Sequence, residues 1–250
     1  MIKDKVVVIT GTTAGFGKAM AEDFAKAGAT VVGVARRQDR LQKMEDDLKN
    51  APGSFFGIAA DIADPAVPKK VIAEIVERFG RIDVLVNNAA VMLHRPLSAG
   101  LIEEYDEMIA LNIRAVIALT QAAMPHLIAA SESGEKVSDL VMISSIAGYQ
   151  GDANKSGYCM TKAAMNMFSE CVRLENAGKF VRVSIVEPGA ADTELSHLVR
   201  DEAERDKCLT VRQNMAALQP EDISRLVLFI VQQPRHVSLS EVVIRPTEQR

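Results

Sequence analysis

The chain is poor in the residues that build disulfide frameworks and metal clusters. Its 250 residues include three cysteines and four histidines, and its formal net charge is −4. The cysteines, at positions 159, 171 and 208, are too few and too widely spaced for a disulfide framework or a zinc cluster. We therefore expect reduced thiols, a cytoplasmic location and no catalytic metal. The absence of a basic excess argues against a general nucleic-acid binder.

Long apolar runs are also missing. No run of apolar residues approaches the length needed to cross a bilayer, so no membrane partner is expected. Residues 6–10 already have the pattern of a strand, which leaves no room for a signal peptide before them. No internal repeat or linker divides the chain. Its composition, 48% apolar and 25% charged, is that of an ordinary globular protein with one large core.

What the sequence does contain is an alternation of short β-branched runs with amphipathic segments. Strands are predicted at 6–10, 30–35, 54–60, 84–86, 140–143, 181–186 and 241–244. Helices are predicted at 16–27, 40–49, 65–79, 103–130, 158–175 and 220–231, with Pro125 bending or interrupting the longest. The alternation predicts an α/β fold: a Rossmann-type, doubly wound parallel sheet of seven strands with helices on both faces, in a single domain over residues 1–250.

One segment, residues 192–218, breaks this rhythm. It is charged, rich in helix-forming residues and followed by no strand. It is either a surface excursion or a lid over a site, and we favour a substrate lid.

A glycine-rich turn, TGTTAGFG at residues 10–17, follows the first predicted strand. Glycines let the backbone turn sharply and approach a pyrophosphate, and the next helix presents unpaired N–H groups at its N-terminus. Such a turn alone is also found as a tight strand-to-helix connection. After the first strand of a βαβ unit, it predicts a dinucleotide site.

Two arginines stand where the second strand ends, and they indicate which dinucleotide binds. An acid at this point would bind the ribose hydroxyls of NAD, whereas a cation would accept a 2′-phosphate. Arg36 and Arg37 bring guanidinium groups that present parallel N–H donors, although they could also be a solvated loop pair. The nearest carboxylate, Asp39, is expected to cap the following helix. The sequence therefore predicts NADP(H) rather than NAD(H).

Tyr158 and Lys162 are four residues apart in a predicted helix, so their side chains lie on one face, one turn apart. The pKa of an isolated tyrosine is near 10, too high for a base at neutral pH. A neighbouring lysine cation would favour the phenolate and lower that pKa towards the range of general acid–base catalysis. The same spacing is also common on ordinary helix surfaces.

Other polar side chains collect at the carboxyl edge of the predicted sheet, where ligands bind in such folds. Ser144 and Ser145 end the fifth strand, and Asn87 and Asn88 end the fourth. Asn112 lies within the long helical tract, where asparagine is locally unfavourable. The alternative explanation for Asn112 is a buried side chain paired to backbone.

These motifs, in this order, resemble the short-chain dehydrogenase/reductase family in its compact, single-domain form, from Lys5 to about Arg245. The family's N-N-A-G element is matched at 87–90, with Ala90 where glycine is usual. Ala14 stands where some NADP-preferring members carry a basic residue. The sequence looks closest to the NADP-dependent 3-hydroxy acid and clavulanate dehydrogenase-like members.

The resemblance implies a catalytic tetrad and a set of cofactor-binding residues. Ser145 is chosen over Ser144 because the family serine commonly lies thirteen residues before the tyrosine. The implied catalytic residues are Asn112, Ser145, Tyr158 and Lys162. The implied cofactor-binding residues are Gly11, Thr13, Gly15, Phe16, Gly17, Arg36, Arg37, Asp61, Ile62, Asn88, Ala89, Tyr158, Lys162, Pro188, Gly189 and Thr193.

The resemblance further implies hydride transfer between nicotinamide and a carbonyl or secondary alcohol substrate. Tyr158 would move the proton, Ser145 would bind the oxygen, Lys162 would hold the ribose, and Asn112 would position a relay water. It also implies a homodimer or homotetramer. Two other readings stay open: an epimerase or dehydratase using the same tetrad, and a non-catalytic NADP(H)-sensing protein.

The expected pocket walls are mostly apolar and favour a medium-sized ketone or aldehyde. Either His94 or His197 could contact the substrate, although a lone histidine is more often structural. The expected walls are Met92, Leu93, His94, Ile146, Tyr149 and the 195–199 stretch.

Overall fold

Seven strands form one parallel sheet in the computed structural model, which describes residues 2–131 and 136–249. The strands are β1 (Val6–Thr10), β2 (Thr30–Ala35), β3 (Ser54–Ala59), β4 (Val84–Asn87), β5 (Ser138–Ile143), β6 (Val181–Pro188) and β7 (Glu241–Ile244). Their order in the sheet is β3-β2-β1-β4-β5-β6-β7. The predicted fold class is confirmed, with strand ends that differ by at most two residues from those expected.

Eight α-helices are found in the described part of the chain. They are α1 (Gly15–Lys26), α2 (Gln38–Leu48), α3 (Val67–Phe79), α4 (Ile102–Ile109), α5 (Val116–Ser131), α6 (Ser156–Glu175), α7 (Glu202–Gln213) and α8 (Pro220–Gln232). Short 3-10 turns lie at Leu97–Ala99, Ile146–Gly148 and Glu194–Leu198. The segment 192–218 thus contains a 3-10 turn and α7.

The sheet separates two hydrophobic layers because successive side chains of a strand point to opposite faces. Val7 and Ile9 of β1 pack with α1, α2 and α8 in one layer. Val6 and Val8 of the same strand pack in the other, against α3, α5 and α6. Helices therefore cover both faces, and the strands are apolar on both sides.

The interruption predicted at Pro125 lies elsewhere. Pro125 is inside α5, and the break is a π-helical turn at Ala110–Ala115 that joins α4 to α5. Proline removes the hydrogen bond to the carbonyl four residues earlier. That residue, Gln121, is exposed, so its carbonyl can bond to water and the helix continues.

The expectation that no apolar run approaches membrane-spanning length did not consider the continuous helical stretch Ile102–Ser131, in which polar residues interrupt the apolar ones. By length and composition alone, its 30 residues could cross a bilayer, and 39% of its most apolar window is buried inside the protein. The core helix of a soluble protein passes the same test. Here Val116, Leu119, Ala123 and Leu127 pack against the sheet, so the apolar composition serves the core.

Candidate active site

The polar groups of the site meet where the strand order reverses, between β1 and β4. The Asn88 side-chain amide donates to the Thr10 carbonyl at 2.8 Å, and the Thr10 hydroxyl accepts the N–H groups of Asn88 and Ala89, each at 3.0 Å. These bonds fix the carboxyl ends of β1 and β4 side by side. Ligands of doubly wound sheets bind in the crevice at this reversal. Thr10 was not predicted as a site residue, because a threonine at a strand end carries no signal of its own.

The glycines of the glycine-rich turn leave its backbone accessible to a ligand. Gly11 has a φ of +75° and Gly15 a φ of +51°, a region that favours glycine. A Cβ on Gly17 would stand 2.3 Å from the Gly11 carbonyl oxygen, so α1 approaches the turn more closely than any side chain allows. No side chain caps the N-terminus of α1 at Ala14. Its N–H groups and dipole fit an anionic pyrophosphate.

Ala90 adopts ordinary backbone conformation. The non-glycine residues with positive φ in the described ranges are Asp4, Asn154 and Phe180. The methyl group that replaces the family's usual glycine therefore costs no backbone strain.

A basic edge stands beside the glycine-rich turn. The Arg37 Nε donates to the Thr13 hydroxyl at 3.0 Å, and Nη1 of Arg40 donates to the Thr13 carbonyl at 3.2 Å. Arg36, in contrast, is exposed. Arg40 was missed from the sequence, although its place one turn into α2, three residues after Arg37, could have indicated it.

Asp39 does not cap α2, contrary to the expectation. The helix begins at Gln38, two residues earlier than predicted, so Asp39 lies inside the first turn and Arg37 occupies the cap position. An acid in the first turn still interacts favourably with the helix dipole.

The remaining predicted cofactor residues lie along the same edge of the sheet. Asp61 is exposed just after β3, where its carboxylate accepts the Ala63 N–H at 3.1 Å, and Ile62 beside it is buried. At the other end of the cleft, a cavity of about 600 Å³ is lined by Phe16, Pro188, Gly189 and Thr193.

Tyr158, Ser145 and Lys162 come together at that cavity. Tyr158 and Ser145 both line it, and Tyr158 is only 6% exposed. Lys162 lies behind them, with its Nζ 5.6 Å from the centre of the Tyr158 ring. This Nζ donates to the Ile143 carbonyl at 2.8 Å, at the end of β5. The turn after β5 presents Ser145, whose hydroxyl accepts the Ala147 N–H at 3.1 Å.

Burial shifts the pKa values of Tyr158 and Lys162, and the shift of Tyr158 is opposite to the expected one. Burial raises the pKa of Tyr158, and a hydrogen bond with Ser145 opposes this only in part. Burial also lowers the pKa of Lys162 to about 7. In the protein alone, the pKa of Tyr158 is therefore raised and not lowered as expected, because the desolvation that disfavours the lysine cation also disfavours the phenolate.

Asn112 is fully buried in the π-helical turn. Its side-chain oxygen accepts the Val91 N–H at 2.9 Å, and its amide donates to the Val91 carbonyl at 2.8 Å. The same amide lies 3.1 Å from the Thr161 hydroxyl, which donates to the Tyr158 carbonyl at 2.8 Å. The alternative explanation, a buried side chain paired to backbone, is thus part of what Asn112 does.

The substrate side of the cavity is more polar than predicted. Met92, His94, Ile146 and Leu195 line it as expected, but so do Asp152, Lys155, Glu204 and Lys207. Of the other expected walls, Leu93 is buried in a small apolar cluster, and Tyr149 is 51% exposed with its hydroxyl accepting from Arg245. His197 is exposed. The extra charges come from α7 and the loop before α6, whose approach the sequence did not reveal.

His94 is buried, and burial together with the charge of Lys155 lowers its pKa to about 4, so the ring is neutral at physiological pH. One ring nitrogen lies 3.4 Å from the Cys208 sulfur on α7. The other has no hydrogen-bond partner among the described residues.

The two ends of segment 192–218 lie side by side, and residues between them line the cavity. Ala191 bridges Leu218, and the Asp192 N–H donates to the Leu218 carbonyl at 2.8 Å. From this base, α7 extends to the loop before α6, where Asn154 donates to Glu204 at 2.9 Å. Gln249, which was not predicted, also lines the cavity and accepts the Ala190 N–H at 2.8 Å.

Comparison with known proteins places this geometry among oxidoreductases. Residues 5–204 match the family model described as short chain dehydrogenase. A probable NADP-dependent dehydrogenase of Haemophilus influenzae is 34% identical over 250 residues, covering 99% of this chain and 96% of the relative. A serine 3-dehydrogenase of Rhizobium radiobacter is 32% identical over 244 residues, covering 97% and 94%. The solved closed form of serine dehydrogenase complexed with NADP+ superposes with a TM-score of 0.87 at 30% identity, covering 98% and 96%.

Proposed function

The chain belongs to the short-chain dehydrogenase/reductase family and is an NADP(H)-dependent oxidoreductase; from this premise, we propose that Tyr158 is the general acid and base of its reaction. The nicotinamide, when bound, supplies or accepts the hydride. In reduction, Tyr158 gives its phenolic proton to the carbonyl oxygen, so that hydride and proton together convert the carbonyl to an alcohol. In oxidation, the Tyr158 phenolate takes the proton back.

One observation carries this proposal: the Tyr158 and Ser145 side chains line the same cavity, and the Lys162 Nζ lies 5.6 Å from the centre of the Tyr158 ring. Ser145 holds the reacting oxygen by a hydrogen bond. Lys162 binds the nicotinamide ribose. The ribose hydroxyls stabilise the protonated form of Lys162, and this positive charge in turn favours the Tyr158 phenolate. Asn112 holds the Val91 backbone and the Thr161 hydroxyl and helps to position a water for proton relay.

The cofactor-binding roles follow the path of the cleft. The pyrophosphate is bound by the turn with Gly11, Gly15 and Gly17 and by the N-terminus of α1. The 2′-phosphate is bound by Arg37 and Arg36. The other residues proposed to contact the cofactor are Thr13, Phe16, Asp61, Ile62, Asn88, Ala89, Pro188, Gly189 and Thr193. Support comes from the bare backbone of the turn and from the Arg37–Thr13 bond, which holds a guanidinium beside it.

The substrate is proposed to be a polar carbonyl compound or the matching secondary alcohol, covered by segment 192–218 as a lid. The paired charges on the cavity wall and the neutral ring of His94 support a substrate with polar groups near its carbonyl. The similarity to serine 3-dehydrogenases makes 3-hydroxy acids the first class to assay. Turnover of the cofactor separates this function from an epimerase, a dehydratase or a cofactor sensor.

The test follows the absorbance of NADPH and, in parallel, NADH with a panel of ketones, aldehydes and 3-hydroxy acids. With the best substrate, Tyr158→Phe is expected to lower kcat about a hundredfold or more, the effect of a lost general acid, with the Kd for NADPH nearly unchanged. Tyr149→Phe is the matched control, since that phenol bonds Arg245 outside the cavity. Near-normal turnover by Tyr158→Phe would remove it from the chemistry.

We further propose that the chain works in the cytoplasm as a homodimer or homotetramer. Its three cysteines form no disulfide, which suits a reducing compartment. The exposed large apolar side chains include Ile117, Met160 and Met167 on α5 and α6, and Phe229 with Val243 on α8 and β7. Exposed apolar patches of this kind are a common mark of subunit contacts.

A further inference from the structure

Glu194 forms an ion pair with two arginines at the basic edge. Its carboxylate oxygens lie 2.8 Å from Arg40 Nη1 and 3.0 Å from Arg37 Nη1. Glu194 begins the 3-10 turn at the start of segment 192–218, more than 150 residues after these arginines in the chain. The hydrogen bonds from Arg37 and Arg40 lower the pKa of the Glu194 carboxyl, so it is an anion at neutral pH.

The same arginines are bound to the glycine-rich turn, through the Thr13 hydroxyl and the Thr13 carbonyl. Glu194 therefore presents a two-oxygen anion to guanidinium groups held beside the turn. A second cavity, of about 440 Å³, opens at this point. Its charged lining residues are Lys18, Arg40 and Lys43 together with Glu22, Asp47, Glu194 and Glu221. A carboxylate and a phosphate recognise guanidinium groups by the same parallel N–H donors.

We propose that Glu194 is a cofactor-specificity residue, which competes with the 2′-phosphate of NADP(H) for Arg37 and Arg40. The proposal rests on the proposed binding of the 2′-phosphate at Arg37. Two anions cannot both hold the same N–H donors, and the phosphate repels an adjacent carboxylate, so the phosphate must displace Glu194. NAD(H) has ribose hydroxyls at this position, which can donate to a carboxylate. Glu194 thus weakens NADP(H) binding, leaves NAD(H) binding intact and moderates the preference set by the arginines.

Displacement of Glu194 also frees the first turn of segment 192–218 from the basic edge. Binding of the 2′-phosphate at one end of the cleft is thereby linked to the segment that covers the other end. NAD(H), which leaves the Glu194 ion pairs in place, does not produce this release.

The experiment measures the binding of 2′,5′-ADP and 5′-AMP by titration calorimetry to the full chain. Glu194→Gln is expected to lower the Kd for 2′,5′-ADP about three- to tenfold, because the phosphate no longer has to replace two half-exposed ion pairs. The Kd for 5′-AMP is expected to stay unchanged or to rise slightly. The gain is expected to shrink in added NaCl, because salt screens exposed pairs. Kd values for NADPH and NADH are expected to follow the same pattern.

Glu221→Gln is the matched control. Glu221 lines the same cavity and is exposed, and the substitution makes the same change of charge. It is expected to change the 2′,5′-ADP Kd by less than about twofold. In an Arg40→Gln background, the gain from Glu194→Gln is expected to fall, since one of the two contested donors is gone.

Each other result has a definite meaning. If wild type prefers 2′,5′-ADP to 5′-AMP and Arg37→Gln abolishes the preference, while Glu194→Gln changes nothing, the competition is refuted and the phosphate site stands. Weaker 2′,5′-ADP binding by Glu194→Gln would make Glu194 a support for the arginines and would also overturn the proposal. If wild type shows no such preference or Arg37→Gln leaves it intact, the proposed phosphate site and the competition both fail.

Discussion

At the scale of single residues, the buried Lys162 makes the stability of the fold depend on pH. Burial lowers its pKa from 10.5 to about 7. An unfolded chain restores the ordinary value, so between about pH 7 and pH 10.5 the unfolded state holds a proton that the folded state has lost. Stability rises with pH wherever the unfolded state binds more protons. Lys162 therefore penalises folding most below pH 7, and the penalty diminishes as the pH rises through this window.

Comparison with Lys162→Met isolates this effect. Between pH 7.5 and pH 9, the free energy of unfolding of wild type is expected to rise by about 2 kcal/mol relative to the variant, since one pKa unit corresponds to roughly 1.4 kcal/mol. Urea unfolding at several pH values, without cofactor, measures it. Lys69→Met, at an exposed position of α3, controls for the loss of a lysine. Parallel pH profiles for wild type and Lys162→Met would mean that Lys162 stays charged in the fold.

The residue scale also shows what a sequence can and cannot reveal about a site. Tyr158, Ser145 and Lys162 could be selected because their motif has a fixed spacing on one helix and a neighbouring strand end. The Glu194–Arg40 pair could not, because its partners are 154 positions apart and either charge alone is ordinary. The direction of the Tyr158 pKa shift was also missed, because it depends on how completely both side chains are desolvated.

At the scale of elements, α7 depends on Asp201 for its attachment. The Asp201 carboxylate caps the helix by accepting the Glu204 N–H at 3.1 Å, and it lies 3.4 Å from Arg95 of the loop beside His94. Replacing such a cap with alanine costs about 0.5–2 kcal/mol of helix stability. Asp201→Ala is expected to speed amide hydrogen exchange in α7 and to raise KM more than it lowers kcat.

Hydrogen exchange with mass spectrometry of the α7 peptides, together with steady-state kinetics, checks this prediction. Glu202→Gln is the matched control, because Glu202 is an acid of the same first turn that faces solvent and does not cap the helix. Unchanged exchange in α7 with unchanged KM would contradict the view that this helix is a substrate lid held by Asp201.

The predicted element boundaries were accurate where the local sequence pattern sets them, and inaccurate where contacts between distant segments set them. Strands such as β1 and β2 matched because runs rich in β-branched residues end at glycine or at charged residues. The interruption of the long helix was predicted at Pro125, but it lies in the π-helical turn at Ala110–Ala115. The backbone of Val91, which Asn112 binds, comes from a loop 21 residues earlier, and its approach gives Asn112 a reason to interrupt the helix.

At the scale of the whole molecule, the alternation of strands and helices was enough to predict the sheet. Parallel strands require crossover helices, and right-handed crossovers leave few ways to arrange seven of them. The reversal between β1 and β4 then brings Gly11 and Asn88 together. How segment 192–218 lies on this frame depends on ion pairs and caps between distant loops, which no period in the sequence encodes.

The exposed apolar faces lead to a prediction about assembly. Met167 is 65% exposed on α6, and burying such side chains between subunits stabilises an oligomer by about 25 cal/mol per Å² of apolar surface. Wild type is therefore expected to elute at two or four times 27.1 kDa in size-exclusion chromatography with light scattering. Met167→Glu, which would bury an unpaired charge, is expected to shift the population to smaller species.

Lys43→Glu, on the polar outer surface of α2, adds an acid elsewhere and should leave the mass unchanged. A monomeric wild type at micromolar concentration would contradict the assembly, whereas an unaltered oligomer in Met167→Glu would direct attention to Phe229 and Val243 instead.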